Sequence, residues 1–122
     1  MEKKMGLDFY IAKSDKISTA RNLLTSMDDF ASLDDELQDY VYDNRGEAKF
    51  KLDSLFEIVP YADSMLELDN IIHLLILCEG ILSSDFLINY DEINQAIYNF
   101  QQLEHICKRA IKENKKIIVI GD

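Results

Sequence analysis

Residues 66–82 read Leu-Glu-Leu-Asp-Asn-Ile-Ile-His-Leu-Leu-Ile-Leu-Cys-Glu-Gly-Ile-Leu. Eleven of these seventeen side chains are apolar, and they fall on nearly every side of a helix. Such a helix is expected to be buried all round, as the piece around which the rest packs. The run is short for a bilayer crossing, and Glu67, Asp69, His73 and Glu79 interrupt it. It therefore reads as the central core helix of a small non-membrane domain. Ser64-Met65-Leu66-Glu67 has capping-box spacing at its start, and Ser83-Ser84-Asp85 closes it.

C-terminal to this core, Asn89-Tyr90-Asp91-Glu92 offers a cap and first-turn acids. Ile93, Ala96, Ile97, Phe100, Leu103, Ile106, Cys107, Ala110 and Ile111 then hold one helical face, with Asn114 as the stop. Lys116-Ile117-Ile118-Val119-Ile120-Gly121 is a continuous β-branched run, as in a strand covered on both faces.

On the N-terminal side, Leu7, Phe9 and Ile11 alternate with polar or smaller neighbours, which predicts a half-buried strand. Ile17, Ala20, Leu24, Met27 and Ala31 recur at helical spacing and predict a helix over 16–30. Ser32-Leu33-Asp34-Asp35 resembles a capping box and opens a short helix near 33–39. The turn chemistry of Asp43-Asn44-Arg45-Gly46, flanked by alternating residues, predicts a hairpin of strands 39–43 and 47–52. The competing reading of 47–59 is a helix with Ala48, Leu52, Leu55, Phe56 and Val59 as one stripe.

A chain of 122 residues with 48% apolar composition, one Pro and four Gly supports one domain, residues 1–122, with one core. Strands at both ends and helices between them predict an α+β fold. The expected sheet is small and mixed, with the two terminal strands as neighbours, packed by three main helices over one face.

Chemistry is sparse. Asp69 and His73 are four apart on a helix and could orient a base, or simply form an i,i+4 pair, and no nucleophile is identifiable beside them. His105 and Cys107 point to different faces, and no pair of residues has zinc-ligand spacing. The four glycines stand alone, so there is no phosphate loop. Arg45 occupies a ligand position in the only calcium-loop-like stretch. These observations predict no cofactor, no metal and no catalytic residue. Cys78 and Cys107 lie inside expected helices and read as reduced, buried thiols. The first sixteen residues lack the apolar segment of a signal peptide, which points to the cytoplasm.

Charge is the strongest feature. The net charge is −10, and residues 28–95 alone carry seventeen acids against Arg45, Lys49 and Lys51. Asp28, Asp29, Asp34, Asp35, Glu36, Asp39, Asp43 and Glu47 fall within twenty residues. If 33–43 were helical, Asp35, Asp39 and Asp43 would form a like-charge stripe, which destabilises an isolated helix. A field of this sign repels nucleic acid and attracts basic surfaces. Tyr40 and Tyr42 lie in the same stretch, and tyrosine is a frequent interface anchor. These ten residues are the candidate partner-binding set, while the plain alternative is an acidic solubilising surface.

Met5-Gly6-Leu7-Asp8-Phe9-Tyr10 resembles the M-G-L-D-x-Y opening of small uncharacterised phage and bacterial proteins. The closing stretch Ala110 to Val119, helix into strand, is similar to their ends. In size, acidity and α+β build the chain also resembles immunity proteins of bacterial toxin–immunity pairs, such as those of contact-dependent growth inhibition. That resemblance implies a cytoplasmic inhibitor, not an enzyme, occluding a basic toxin domain, often a nuclease; it assigns no residue. The alternatives are a nucleic-acid mimic of the anti-restriction or anti-CRISPR kind and a small enzyme with an unrecognised site.

Overall fold

The computed structural model describes residues 6–47 and 63–121, with Glu47 described in its backbone only. Strand β1 (Leu7–Ile11) is followed by helix α1 (Ile17–Asn22), strand β2 (Phe30–Leu33), helix α2 (Asp35–Asp43) and a 3-10 turn at Arg45–Glu47. Then come strand β3 (Ser64–Leu66), helix α3 (Leu68–Ser83), helix α4 (Ile93–Glu113) and strand β4 (Ile117–Gly121). The four strands form one sheet in the order β2-β1-β4-β3. The fold is α+β, and every strand pairing is antiparallel rather than mixed.

The two terminal strands are the central pair, with Phe9 opposite Val119 and Tyr10 opposite Ile118. Ile117, Ile118 and Val119 are fully buried, because β4 has a neighbour on each side and packing on both faces. On one face Leu7, Phe9, Ala31, Leu33, Ile117 and Val119 meet the apolar stripes of α3 and α4 and two residues of α2, Leu37 and Val41. On the other, Ile118 and Ala12 pack with Ala20 of α1. The helices thus do not all lie over one face, since α1 closes the opposite side.

Helix α4 matches its apolar pattern but not its expected start: it begins at Ile93 behind Glu92, with no side-chain cap at Asn89 and no acid in its first turn. Ala96, Phe100, Leu103, Ile106, Cys107 and Ala110 are buried. Asn114 ends the helix in the left-handed conformation (φ 55°), and Lys115 N–H donates to Ala110 O at 2.9 Å. Both cysteines are free and buried.

Other expectations fail locally. The helix predicted over 16–30 stops at Asn22. Asp28 accepts from Thr25 N–H at 2.8 Å and turns the chain, and Phe30-Ala31-Ser32-Leu33 becomes a strand with Ala31 and Leu33 inward. The helical spacing of Leu24, Met27 and Ala31 was fortuitous, and Met27 is 89% exposed. Strand 39–43 of the hairpin is instead the second half of α2; its proposed partner, 47–52, lies outside the described residues beyond Glu47. The Asp34 side chain accepts from Leu37 N–H at 2.8 Å, and that cap commits the segment to helix.

The capping box at Ser64 is absent, because Ser64–Leu66 pairs with β4 and α3 begins at Leu68 without a side-chain cap. Glu67 meets Lys116 at 3.2 Å. Helix α3 is also not buried all round. Ile71, Leu74, Leu77, Cys78 and Ile81 are inside, whereas Leu68, Ile72 and Ile76 are exposed. A four-stranded sheet with one long neighbouring helix covers one side of α3, whatever the apolarity of its other side.

Candidate functional site

The acidic segment does not form one surface. Asp28 lies beyond α1, where it bonds Lys13 Nζ at 2.9 Å and the Thr25 amide. The Lys13 ammonium, then the Thr25 amide, hold its carboxyl below the ordinary range. Asp29 faces Arg109 of α4 at 3.4 Å and is largely exposed. Asp34 is consumed as the α2 cap. Tyr42 is exposed, with the Arg45 guanidinium 3.7 Å from its ring centroid.

Helix α2 sorts the rest. Leu37 and Val41 are buried, and this fixes the helix rotation. Glu36, Asp39, Tyr40 and Asp43, at i, i+3, i+4 and i+7, then face a cleft of about 330 Å³. Its opposite wall is Asn89, Tyr90, Asp91 and Glu92, from the segment between α3 and α4. Five carboxylates therefore line one concavity, and among the described residues that line it none is a base. Asp35 contributes field from the first turn of α2.

Tyr40 joins the two walls. Its hydroxyl donates to Phe86 O at 2.7 Å. Its ring meets Phe86 edge-on at 5.8 Å and Tyr90 at 5.0 Å. Tyr40 is thus committed to the protein's own packing, while Tyr90 stands half-buried at the cleft. Burial, then the carboxylates of Asp34, Glu36, Glu92 and Asp35, push the Tyr90 phenol up to about 12.

The sequence singled out the α2 wall but not its counterpart. Asn89–Glu92 read as a helix start, and only tertiary folding brings it across from Glu36. Like-charged positions on two segments near predicted helix ends were the sole available signal.

The cleft offers carboxylates and the Tyr90 phenol, whose proton is held by burial and the neighbouring carboxylates. Among the described residues, no group of three His, Cys, Asp or Glu side chains is placed to hold a metal ion. His73 and His105 are exposed. Among the described residues, no helix is long and apolar enough to cross a membrane. Comparison with known proteins finds no match: no family model, no curated protein and no solved structure is significantly similar to the chain.

Proposed function

We propose that the chain is a cytoplasmic inhibitor that docks the α2 cleft onto a basic protein, a toxin domain of the kind neutralised by bacterial immunity proteins. The observation that carries this reading is the convergence of Glu36, Asp43, Asp91 and Glu92, from two separated segments, on one concave surface with no base among its described lining residues. Repulsion across such a cleft is a folding cost, and a cationic side chain of a partner entering it removes that cost. The mechanism is occlusion. The field speeds encounter, Tyr90 at the rim supplies a contact with an apolar body and a polar tip, and the bound domain covers the partner's basic site.

The test isolates the partner by affinity capture from the source lysate and then measures its binding kinetics. Glu36→Gln, Asp43→Asn, Asp91→Asn and Glu92→Gln are combined in one variant, at four exposed positions. Association is expected to slow about tenfold at low salt, with a smaller difference at physiological ionic strength, where screening acts over roughly 8 Å. Unchanged association at low salt shows the cleft to be a solubilising surface and ends the reading. A captured nucleic-acid-processing enzyme displaced by DNA supports the nucleic-acid mimic instead.

A further inference from the structure

A second concavity adjoins the acidic cleft. Its volume is about 270 Å³, and Ile81, Leu82, Leu87, Ile88, Ile93 and Ile97 supply its apolar walls. They come from the end of α3, the start of α4 and the segment between them. That segment serves both concavities. Leu87, Ile88 and Ile93 line the apolar pocket, and the residues between, Asn89 to Glu92, line the acidic cleft. Successive Cα atoms lie about 3.8 Å apart, so the two rims meet at Ile88–Asn89 and again at Glu92–Ile93.

The shared wall is firmly placed. Ile88 N–H donates to Asp85 O and Tyr90 N–H to Leu87 O, each at 3.0 Å. Phe86 N–H donates to Ser84 Oγ at 3.2 Å, and Phe86 O accepts the Tyr40 hydroxyl. Leu87 is buried beneath, yet Ile88 is 64% exposed. The rim thus holds a large aliphatic side chain in solvent, ready for contact without further ordering of the backbone. In size the pocket suits one large side chain, since sites for drug-sized ligands usually run from about 300 to 1,000 Å³. Charge decides what carries that side chain. Asp85 lines the pocket itself, and Asp85, Glu36, Asp43, Asp91 and Glu92 make no ion pair among the described residues. An anionic amphiphile such as a fatty acid is repelled by these groups. A second copy inserting its own Ile88 about a two-fold axis brings Asp91 and Glu92 of both copies together. A basic protein meets neither penalty.

We propose that this pocket is the apolar half of a two-part docking site: it receives one large aliphatic side chain that the basic partner carries beside the cation entering the cleft. The inference rests on the preceding reading of the cleft. It adds the chemistry of the partner's docking element, a leucine-sized group next to bases, and a contact that governs the off-rate while the field governs encounter.

The test titrates the full isotopically labelled chain with three peptides: acetyl-Lys-Lys-Leu-Lys-Lys-amide, acetyl-Lys-Lys-Ser-Lys-Lys-amide and acetyl-Ser-Ser-Leu-Ser-Ser-amide. The first is expected to bind about tenfold more tightly than either of the others. It should shift the methyl signals of Ile88, Ile93 and Ile97 together with the amides of Asp91 and Glu92. In Ile88→Ser, a change at an exposed position that should leave the melting temperature near the parent's, the advantage of leucine over serine should fall below about threefold. An advantage that survives Ile88→Ser overturns the pocket. Equal binding of the two basic peptides, with shifts confined to Glu36, Asp43, Asp91 and Glu92, also overturns it and leaves the cleft reading standing. Equal binding of the two leucine peptides overturns the coupling of pocket to cleft. Absence of binding by all three overturns the pocket, and the cleft reading is then decided by its own kinetic test. A dimer of the parent that Ile88→Ser abolishes assigns the pocket to a second copy and overturns the proposal.

Discussion

Tyr40 shows how a residue selected for one role is held by another. Its place in an acidic stretch suggested an interface anchor, yet its hydroxyl and ring are spent on Phe86 and Tyr90. Tyr40→Phe leaves the Phe86 carbonyl without this donor and is expected to cost about 1 kcal/mol in a denaturant melt. A variant with parental stability but weakened partner binding would make Tyr40 a contact after all. Tyr90 gives a prediction in pH. Its folded pKa, about 12, lies above the ordinary phenol value of 10, so the folded state holds the proton more tightly than the unfolded one. The stability this contributes is complete below pH 10 and is lost as pH rises through 12. Tyr90→Phe should flatten the alkaline fall in melting temperature relative to the parent, and an unchanged alkaline profile refutes the assignment. The thiols are governed by burial alike: it raises Cys107 to about 12 and Cys78 well above its usual value. Alkylation of the native protein is expected to be slow and to accelerate with denaturant in step with unfolding.

At the scale of elements, α2 and α3 show where sequence patterns carried structural information and where they did not. A helix start near this point was legible, but the capping box was read from Ser32, which lies in β2; the cap is Asp34, two residues on, whose carboxylate takes the Leu37 amide. The hairpin reading of 39–43 failed because turn chemistry after Asp43 is equally suited to ending a helix, which Asn44 and the Arg45–Glu47 turn do. Helix α2 also holds two acids with opposite effects. Asp34→Ala removes the cap and is expected to destabilise by about 1 kcal/mol. Asp43→Lys, at the negative end of the same helix, should stabilise by roughly 0.3–1 kcal/mol. In α3, apolarity was legible but its exposure was not, since what covers a helix is decided by elements far away in sequence. Leu74 is 1% exposed and Ile76 56% exposed. Truncating Leu74 to Ala should cost about 2–5 kcal/mol, whereas Ile76→Ala should stay near 0.5 kcal/mol. Comparable losses at the two sites would mean that the outer face of α3 is covered in solution.

For the whole molecule, the pairing of the terminal strands was readable because β4 is too uniformly apolar for any place but the middle of a sheet. The positions of β2 and β3 were not readable, because four and three residues of strand carry almost no period. The candidate site was half legible: charge density marked α2, while the facing wall at Asn89–Glu92 exists only in three dimensions. Charge also yields a prediction about the molecule as a unit. The ion pairs that link elements, Lys13–Asp28 at 2.9 Å, Arg21–Asp63 at 2.6 Å and Lys116–Glu67 at 3.2 Å, are short. They lie well inside the Debye length at any ordinary salt concentration, and each surface pair is worth at most about 1 kcal/mol. Like charges hold no close contact with one another, so repulsion across the cleft acts through solvent and is screened by salt. Raising salt from about 10 mM to about 150 mM shortens the Debye length from roughly 30 Å to 8 Å and removes mainly the repulsion. The protein should therefore gain stability with salt, by about 1 kcal/mol, or roughly 4 °C in melting temperature. In the variant with Glu36, Asp43, Asp91 and Glu92 replaced by amides, the low-salt melting temperature should already be raised and the salt increment smaller. A parent melting temperature that falls with salt would mean that attraction between elements outweighs repulsion within the cleft. The acids would then hold the fold together, and the stored repulsion that a basic partner is proposed to relieve would not exist.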